Sequence, residues 1–370
     1  MFFQAAVLAA VAGFGLWLAG NLRANSEATN IPLSYDYLGQ PARFPIAGSS
    51  FRIEQNVRSA IIVGVGNTAR VAVVGIVAAT LIGTLIGIAR LSTNWLVSKA
   101  AKTYVELVRN VPLLVIIIFS YKALFLQLPR PQEATRIEGL LVLSVRDIAV
   151  PWSRVAEGKA PAVLGVLVVA GLAAWLVARW RRSVFDRTGQ PARAGVASTA
   201  AFVVITAAGF VVLGGPVDVT SPQFDEGVVS GGIRMSPEYA ALLFALVLYT
   251  SSHIAEIVRG SIQAIPKGQT EAATALALAP GQRMRLVVLP QAMRIALPAL
   301  TNQYLNLTKN SSLAVAISYF ELTNITKLSI ANRSPAVPSY GLLLVLYLAL
   351  SLTIAGITNL VNRRLAVGDR

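Results

Sequence analysis

Eight stretches of this chain run for roughly twenty residues each with almost no charge, and that pattern limits what the chain can fold into. Crossing a hydrocarbon core of ~30 Å takes about 20 helical residues. The runs are Met1–Leu22, Val71–Ala89, Asn110–Leu128, Ala160–Ala178, Ala194–Val217, Glu238–Val258, Ile295–Phe320 and Tyr340–Asn362. Lys122, Glu256 and Lys309 interrupt the third, sixth and seventh. Only 13% of the chain is charged, about half of what a soluble domain uses to solvate its surface. The expected fold is an all-α polytopic membrane protein with about eight transmembrane helices. Met1–Leu22 has neither a basic n-region nor a small-residue cleavage site, so it reads as a span and not as a signal peptide.

Orientation follows from the basic residues in alternate loops. Segments 90–109, 179–193, 259–294 and 363–370 hold 17 Lys and Arg against 4 Asp and Glu. Segments 23–58, 130–159, 218–238 and 321–333 hold 12 of each. The first set is therefore expected in the cytoplasm, with both termini inside. The net charge of +15 is then a topology signal and a contact with membrane lipid headgroups, not a nucleic-acid footprint. The segment 21–58, with Pro32, Tyr35, Tyr37, Pro41, Phe44 and Pro45, is expected to be ordered on the outer surface.

Several chemistries are excluded. The chain has no cysteine, which removes disulfides, thiolate metal sites and cysteine nucleophiles. Its single histidine, His253, cannot form a histidine metal cluster. No phosphate-cradling GxxxxGK[ST] or GxGxxG loop occurs. The chain is expected to be no enzyme and to bind no cofactor or metal. Arg70 and Lys122, toward the outer ends of their spans, read as snorkelling to headgroups. Ala79, Gly83 and Gly87 form a small-residue stripe expected at a close helix contact.

The loop between the sixth and seventh runs is longer than a hairpin needs, and it is patterned. Pro266-Lys-Gly-Gln reads as a turn, Thr270 as a helix cap, and Glu271 as a first-turn carboxylate on the helix dipole. Residues 271–279 are strong helix formers. Pro280-Gly281 is expected to stop that helix, with a second short one over Gln282–Leu289 before Pro290. The result is a compact helix–turn–helix with an alanine-rich surface, suited to close docking on another protein.

The stretch Glu256-Ile-Val-Arg259-Gly260-Ser-Ile-Gln-Ala-Ile-Pro266-Lys-Gly268-Gln-Thr-Glu271-Ala272-Ala273, ending Val287-Val288-Leu289-Pro290-Gln291, resembles the EAA loop of ABC importer permeases. The polar amino-acid branch (His, Glu, Gln, Arg, opine) is the most similar. Leu307-Thr-Lys309-Asn-Ser-Ser-Leu313, Asn67-Thr68 and Tyr104-Val-Glu106-Leu-Val-Arg109-Asn-Val-Pro112 match the same branch. The eight-span size resembles the first permease subunit of general L-amino-acid systems. The family's loop glycine falls on Ala277 here, and Gly281, four residues later, is a candidate for the turn role.

The resemblance implies a MetI-like type I permease core in the bacterial inner (cytoplasmic) membrane that imports L-amino acids by alternating access. It implies two ATPase subunits that hold the ATP and Mg, a second homologous permease in a heterodimer, and a periplasmic amino-acid-binding protein. The EAA loop then couples to the ATPases, through Glu271, Ala272, Ala273, Ala277, Gly281, Leu289 and Pro290. His253, Glu256, Asn302, Asn306, Lys309 and Ser312 are the candidate pathway residues, because charges inside a span face protein or water. Lys309 is expected to meet a substrate carboxylate or Glu256; the alternative is an interhelical structural ion pair, or a Glu256 near the cytoplasmic end that snorkels with Arg259.

The organisation implied is an extra helix 1–22, a periplasmic segment 23–58, and a first core part 57–128. An insertion with two extra helices follows over 129–238. A second core part spans 239–362 with its coupling loop 259–294, and a cytoplasmic tail covers 363–370. A rival reading is an ion-gradient-driven secondary carrier using Glu256 and Lys309, opposed by the docking loop and the missing inverted repeat. Another is a membrane scaffold or sensor without flux.

Overall fold

The computed structural model describes residues 2–29, 31–189, 193–215, 217–225 and 228–366. Met1, residues 190–192 of the expected cytoplasmic loop, Pro216 at the end of the fifth run and residues 367–370 of the expected tail lie outside them. The chain divides into two compact units, residues 1–127 with 237–370, and residues 128–236.

In the first unit, α1 (Phe2–Thr29), α2 (Val57–Ala89), α3 (Trp95–Arg109) and α4 (Leu113–Phe119) precede the break. The second unit holds β1 (Thr135–Ile137), β2 (Leu141–Leu143), β3 (Ile148–Val150), β4 (Trp152–Val155), α5 (Ala160–Thr188), α6 (Ala194–Val212), β5 (Val217–Thr220), β6 (Gln223–Asp225), β7 (Val228–Ser230) and β8 (Ile233–Met235). The first unit resumes with α7 (Pro237–Gln263), α8 (Lys267–Ala275), α9 (Pro280–Arg283), α10 (Leu289–Asn310), α11 (Leu322–Ala331) and α12 (Ala336–Ala366).

Among the described residues, six helices are long and apolar enough to cross a membrane: α1, α2, α5, α6, α7 and α12. The expected third run differs. Pro112 bars an uninterrupted helix from α3; α4 starts after it and passes through a π turn (Ser120–Leu124) and a 3-10 turn (Phe125–Gln127). Residues 113–127 lie at 98° to α3 and reach only about 22 Å at 1.5 Å per residue. The seventh run also differs. The helix α10 begins earlier, at Leu289, ends at Asn310, and continues as a 3-10 turn over Ser311–Ile317. Its asparagines, glutamine and lysine make it more polar than those six helices.

The first unit is organised on α2 and α7, with α10 and α11 packed against them and α12 packed on α10 and α11. The two central helices approach so closely that a Cβ at Gly83 would lie 2.7 Å from both Ile254 Cβ and Ser251 O. At Gly87 it would lie 2.8 Å from Ala255 O. The small-residue stripe of α2 is thus a helix contact, with Ala79 fully buried.

The other end of α2 is fastened by polar contacts. Asn67 Nδ2 donates to Phe320 O at 2.7 Å, and Thr68 Oγ1 accepts the Leu322 amide at 3.1 Å. Glu321, fully buried, caps α11 by accepting the Thr323 and Asn324 amides at 2.9 and 2.8 Å. Tyr347 of α12 donates its hydroxyl to the same carboxylate at 2.7 Å. Arg70 does not simply snorkel: its guanidinium lies 4.5 Å from the ring centroid of Tyr239.

The segment after α1 is ordered. A 3-10 turn (Asp36–Gly39) and a bridge between Pro41 and Asn56 bring Tyr37, Ala42, Phe44 and Ile46 into one core with Val57, Ala60, Ile61, Leu322 and Ile325. The helix α1 buries none of its described residues.

In the second unit, α5 and α6 pack as a hairpin, with Lys159 Nζ donating to Leu213 O at 2.9 Å. The short strands form an antiparallel four-stranded sheet in the order β1-β2-β3-β8 and the pairs β4-β5 and β6-β7. These strands, in loops the sequence left unstructured, add β structure to a chain that is otherwise mainly helical.

The glycine contact yields a test. Gly83→Val is expected to cost about 1–3 kcal/mol by overpacking, lowering the midpoint of thermal unfolding in detergent. Gly66→Ala, with nothing within 4 Å of its Cβ, is expected to leave it unchanged or slightly raised.

Candidate coupling loop and polar helix faces

Pro266 ends the turn after α7 and launches α8. With φ −56° and ψ 137° it is the residue before the helix, and its carbonyl accepts the Gln269 amide at 3.0 Å. The helix therefore begins three residues before the cap expected at Thr270. Thr270 lies inside it and donates its hydroxyl back to Lys267 O at 2.7 Å. Glu271 falls in the second turn, where the end of the helix dipole acts more weakly.

The end of α8 is a Schellman motif. The Leu278 amide bonds to Ala273 O at 3.1 Å and the Ala277 amide to Thr274 O at 2.9 Å. Ala277 supplies the left-handed residue, at φ 55°. The turn expected at Gly281 is thus made at Ala277. Gly281 sits within α9, and Pro280 opens that helix as its first residue instead of stopping the previous one. Gln282 Oε1 accepts the Ala279 amide at 3.0 Å, closing the start of α9.

The second short helix expected over Gln282–Leu289 is likewise replaced. A π turn over Met284–Val288 carries α9 into α10, with Leu289 and Pro290 in the first turn of α10. In a regular α-helix the ring of Pro290 would clash with the carbonyl of Leu286; the wider turn relieves that crowding.

The loop is clamped at its base. Ile265, Val288 and Ala292 form a small core with Ile262, and Gln291 Nε2 donates to Gln269 Oε1 at 3.2 Å. Outward, Glu271, Ala272, Ala277, Gly281, Leu289 and Pro290 are exposed. Ala273 departs from the expectation of a docking contact: it is 3% exposed, the one buried residue of α8. Between α8 and α9 runs an open groove lined by Thr270, Glu271, Thr274, Ala275 and Arg283, with Arg283 Nη1 donating to Thr274 Oγ1 at 3.0 Å.

The polar residues of the helices separate into two groups. Glu256 of α7 pairs with Arg90, which caps the end of α2, and with Arg259 one turn on; Arg109, the last residue of α3, is 3.8 Å away. Helices α2, α3 and α7 thus meet at one carboxylate. Lys309 is not among its partners, so the expected Glu256–Lys309 pair does not form and the alternative with Arg259 does. His253 packs on Tyr249 with ring centroids 4.7 Å apart, and its buried Nε2 has no hydrogen-bond partner.

The second group lies on α10. Asn302, Asn306 and Lys309 are all exposed at spacings that share one face, and Ser312 is half-buried in the 3-10 turn that follows. Sequence reading missed Arg90 as a partner of Glu256, although an arginine at a span's end was a signal. It also missed Glu321, the first residue of a segment read only as a loop. Among the described residues no group of His, Asp and Glu assembles a metal site.

This arrangement makes comparison with known proteins informative. Residues 75–367 match the family described as binding-protein-dependent transport system inner membrane component. The chain belongs to that family. Three relatives align with this chain over nearly its whole length. It is 39% identical to the general L-amino acid transport system permease protein AapQ of Rhizobium johnstonii, over 100% of this chain and 93% of that protein. It is 35% identical to the putative amino-acid ABC transporter permease protein YhdX of Escherichia coli, over 100% and 94%. It is 33% identical to the glutamate/glutamine/aspartate/asparagine transport system permease protein BztB of Rhodobacter capsulatus, over 96% and 91%.

The left-handed Ala277 of this chain is a point of strain. Left-handed backbone costs a non-glycine residue roughly 1–2 kcal/mol, so Ala277→Gly is expected to slow amide exchange and proteolysis across 274–279. Gly281→Ala, helical and with open space around its Cβ, is expected to change neither.

Proposed function

We propose that this chain is a transmembrane permease subunit of an ATP-driven ABC importer for L-amino acids. It passes substrate inward by alternating access and hydrolyses no ATP itself. The observation that carries the reading is the coupling loop: a short helix tied near its start to Gln291 of α10 and near its end to Arg283 of α9, with Glu271 and Ala272 exposed. The names of the three relatives support amino acids as the cargo and an ABC system as the assembly.

ATPase subunits and a binding protein are the partners such a system requires. In the assembly we propose, two ATPases bind ATP and Mg and receive the loop through Glu271, Ala272, Leu289 and Pro290. Ala273 and Ala277 act beneath and beside them, as packing and as the turn. A second, homologous permease completes a heterodimer. The basic loops, the coupling loop and both termini face the cytoplasm of a bacterium across its inner membrane. The segment 23–58 and the outer segments 130–159 and 218–238 of the insertion face the binding protein.

The exposed row Asn302, Asn306 and Lys309 then lines the translocation path with His253 and Ser312. A charge or an amide left in hydrocarbon is costly, so this row requires water or protein against it. Glu256 stands nearer the cytoplasmic end, as the ion-paired junction of α2, α3 and α7.

A photo-reactive residue at Ala272, in membranes with all subunits co-expressed, is expected to capture an ATPase subunit with a yield that changes on adding ATP. No capture from a loop shown to be cytoplasmic would sink the importer and favour an ion-driven carrier. For the path, Lys309→Met is expected to lower uptake at least tenfold while the assembly still purifies intact. Normal uptake by that variant ends the assignment of Lys309.

A further inference from the structure

We propose that α3 is an interfacial helix, lying along the cytoplasmic membrane surface with a row of lysines on anionic lipid headgroups. The proposal rests on the orientation given above, which puts residues 90–109 on the cytoplasmic side.

Three faces of α3 differ in kind. One is fixed to protein: Ala101 and Val105 are buried, and the hydroxyl of Tyr104 bonds to Leu248 O and Ser251 Oγ of α7 at 2.9 and 2.7 Å. The second is apolar and uncovered. Leu96 and Leu107 fall on one arc with Ala100, and the two leucines are 67% and 65% exposed. The third is charged: Lys99, Lys102, Glu106 and Arg109 follow at helical spacing, with Lys102 and Glu106 3.6 Å apart and both well exposed. Trp95, 75% exposed, stands at the start of the charged arc.

A helix with protein on one side, bare leucines on the second and basic residues on the third suits the boundary between hydrocarbon and water. The backbone agrees. The Asn94 side chain caps the helix through the Leu96 and Val97 amides at 3.0 and 3.2 Å. At the other end the chain turns by 98° into the run 113–127. If that run points across the membrane, α3 points along it. Reading the two as one broken span would instead carry Lys99, Lys102, Glu106 and Arg109 into hydrocarbon. Charge selects the occupant: Lys99 and Lys102 against Glu106 leave this arc net positive even with Arg109 set aside for the Glu256 junction, and a positive arc attracts an anionic leaflet.

The chain has no native cysteine, so a single spin label can be placed on it without background from this chain before it is assembled with the other subunits. Labels at Leu96→Cys, Lys99→Cys and Leu107→Cys would be read in liposomes of phosphatidylcholine and phosphatidylglycerol. Labels at 96 and 107 are expected to meet oxygen more than a water-soluble nickel chelate, at shallow depth, and the label at 99 the reverse. Replacing both lysines, Lys99→Gln with Lys102→Gln, is expected to reduce the preference for spin-labelled phosphatidylglycerol over phosphatidylcholine at least twofold. Labels at 96 and 107 bathed in water, a label at 99 at mid-bilayer depth, or an unchanged lipid preference each overturn the proposal. An impermeant thiol reagent on Lys99→Cys tests the orientation separately. Labelling from the ATPase side supports it, whereas labelling from the opposite side overturns the orientation on which the proposal rests.

Discussion

The close approach of α2 and α7 at Gly83 and Gly87 is the constraint on which the first unit depends. Helices in lipid gain little from burying apolar surface against each other, so tight backbone packing has to hold them together. Here the missing Cβ atoms let Ser251 O and Ala255 O come within 2.8 Å of where a side chain would begin. That contact sets the separation of the two helices at the end where α2 delivers Arg90 and α7 delivers Glu256 and Arg259. The junction of three arginines on one carboxylate is therefore a product of the glycine stripe. It links packing inside the membrane to the helix from which the coupling loop departs.

The loop solves a different problem. A surface meant to meet a partner must keep its shape without that partner. The base core of Ile265, Val288 and Ala292, the Gln269–Gln291 contact and the Schellman end of α8 provide that rigidity. Alanine in the left-handed position makes the end of α8 costlier than glycine would. The two backbone hydrogen bonds of the motif offset part of that cost.

The spans and the loop were legible because they rest on composition and on local signals: uncharged runs, prolines, glycine spacing. Gly83 and Gly87 could be assigned to a helix contact from their spacing of four residues alone. What failed to show depends on tertiary partners or on backbone strain. The expected cap at Thr270 lost to Pro266, whose fixed φ starts the helix earlier. Gly281 is a candidate for the turn on sequence, yet the Schellman hydrogen bonds decide the site of the turn and they fall at Ala277. The pairing of Glu256 with Arg90 joins residues 166 positions apart, and periodicity holds no record of such a distance. The strands of the second unit are three or four residues long, too short for an alternating pattern to stand out.

The two polar groups carry opposite electrostatic logic. Glu256 is surrounded by arginines at the junction of three helices, so its charge is used up within the chain. Lys309 has no acidic partner among the described residues and shares an uncovered face with Asn302 and Asn306. A membrane helix tolerates such a row only against something polar. The first group therefore reads as architecture and the second as a surface completed from outside the chain, by water, substrate or a neighbouring subunit. Sequence spacing alone put Glu256 and Lys309 on equal terms, and it is the placement of Arg90 and Arg259 that separates them.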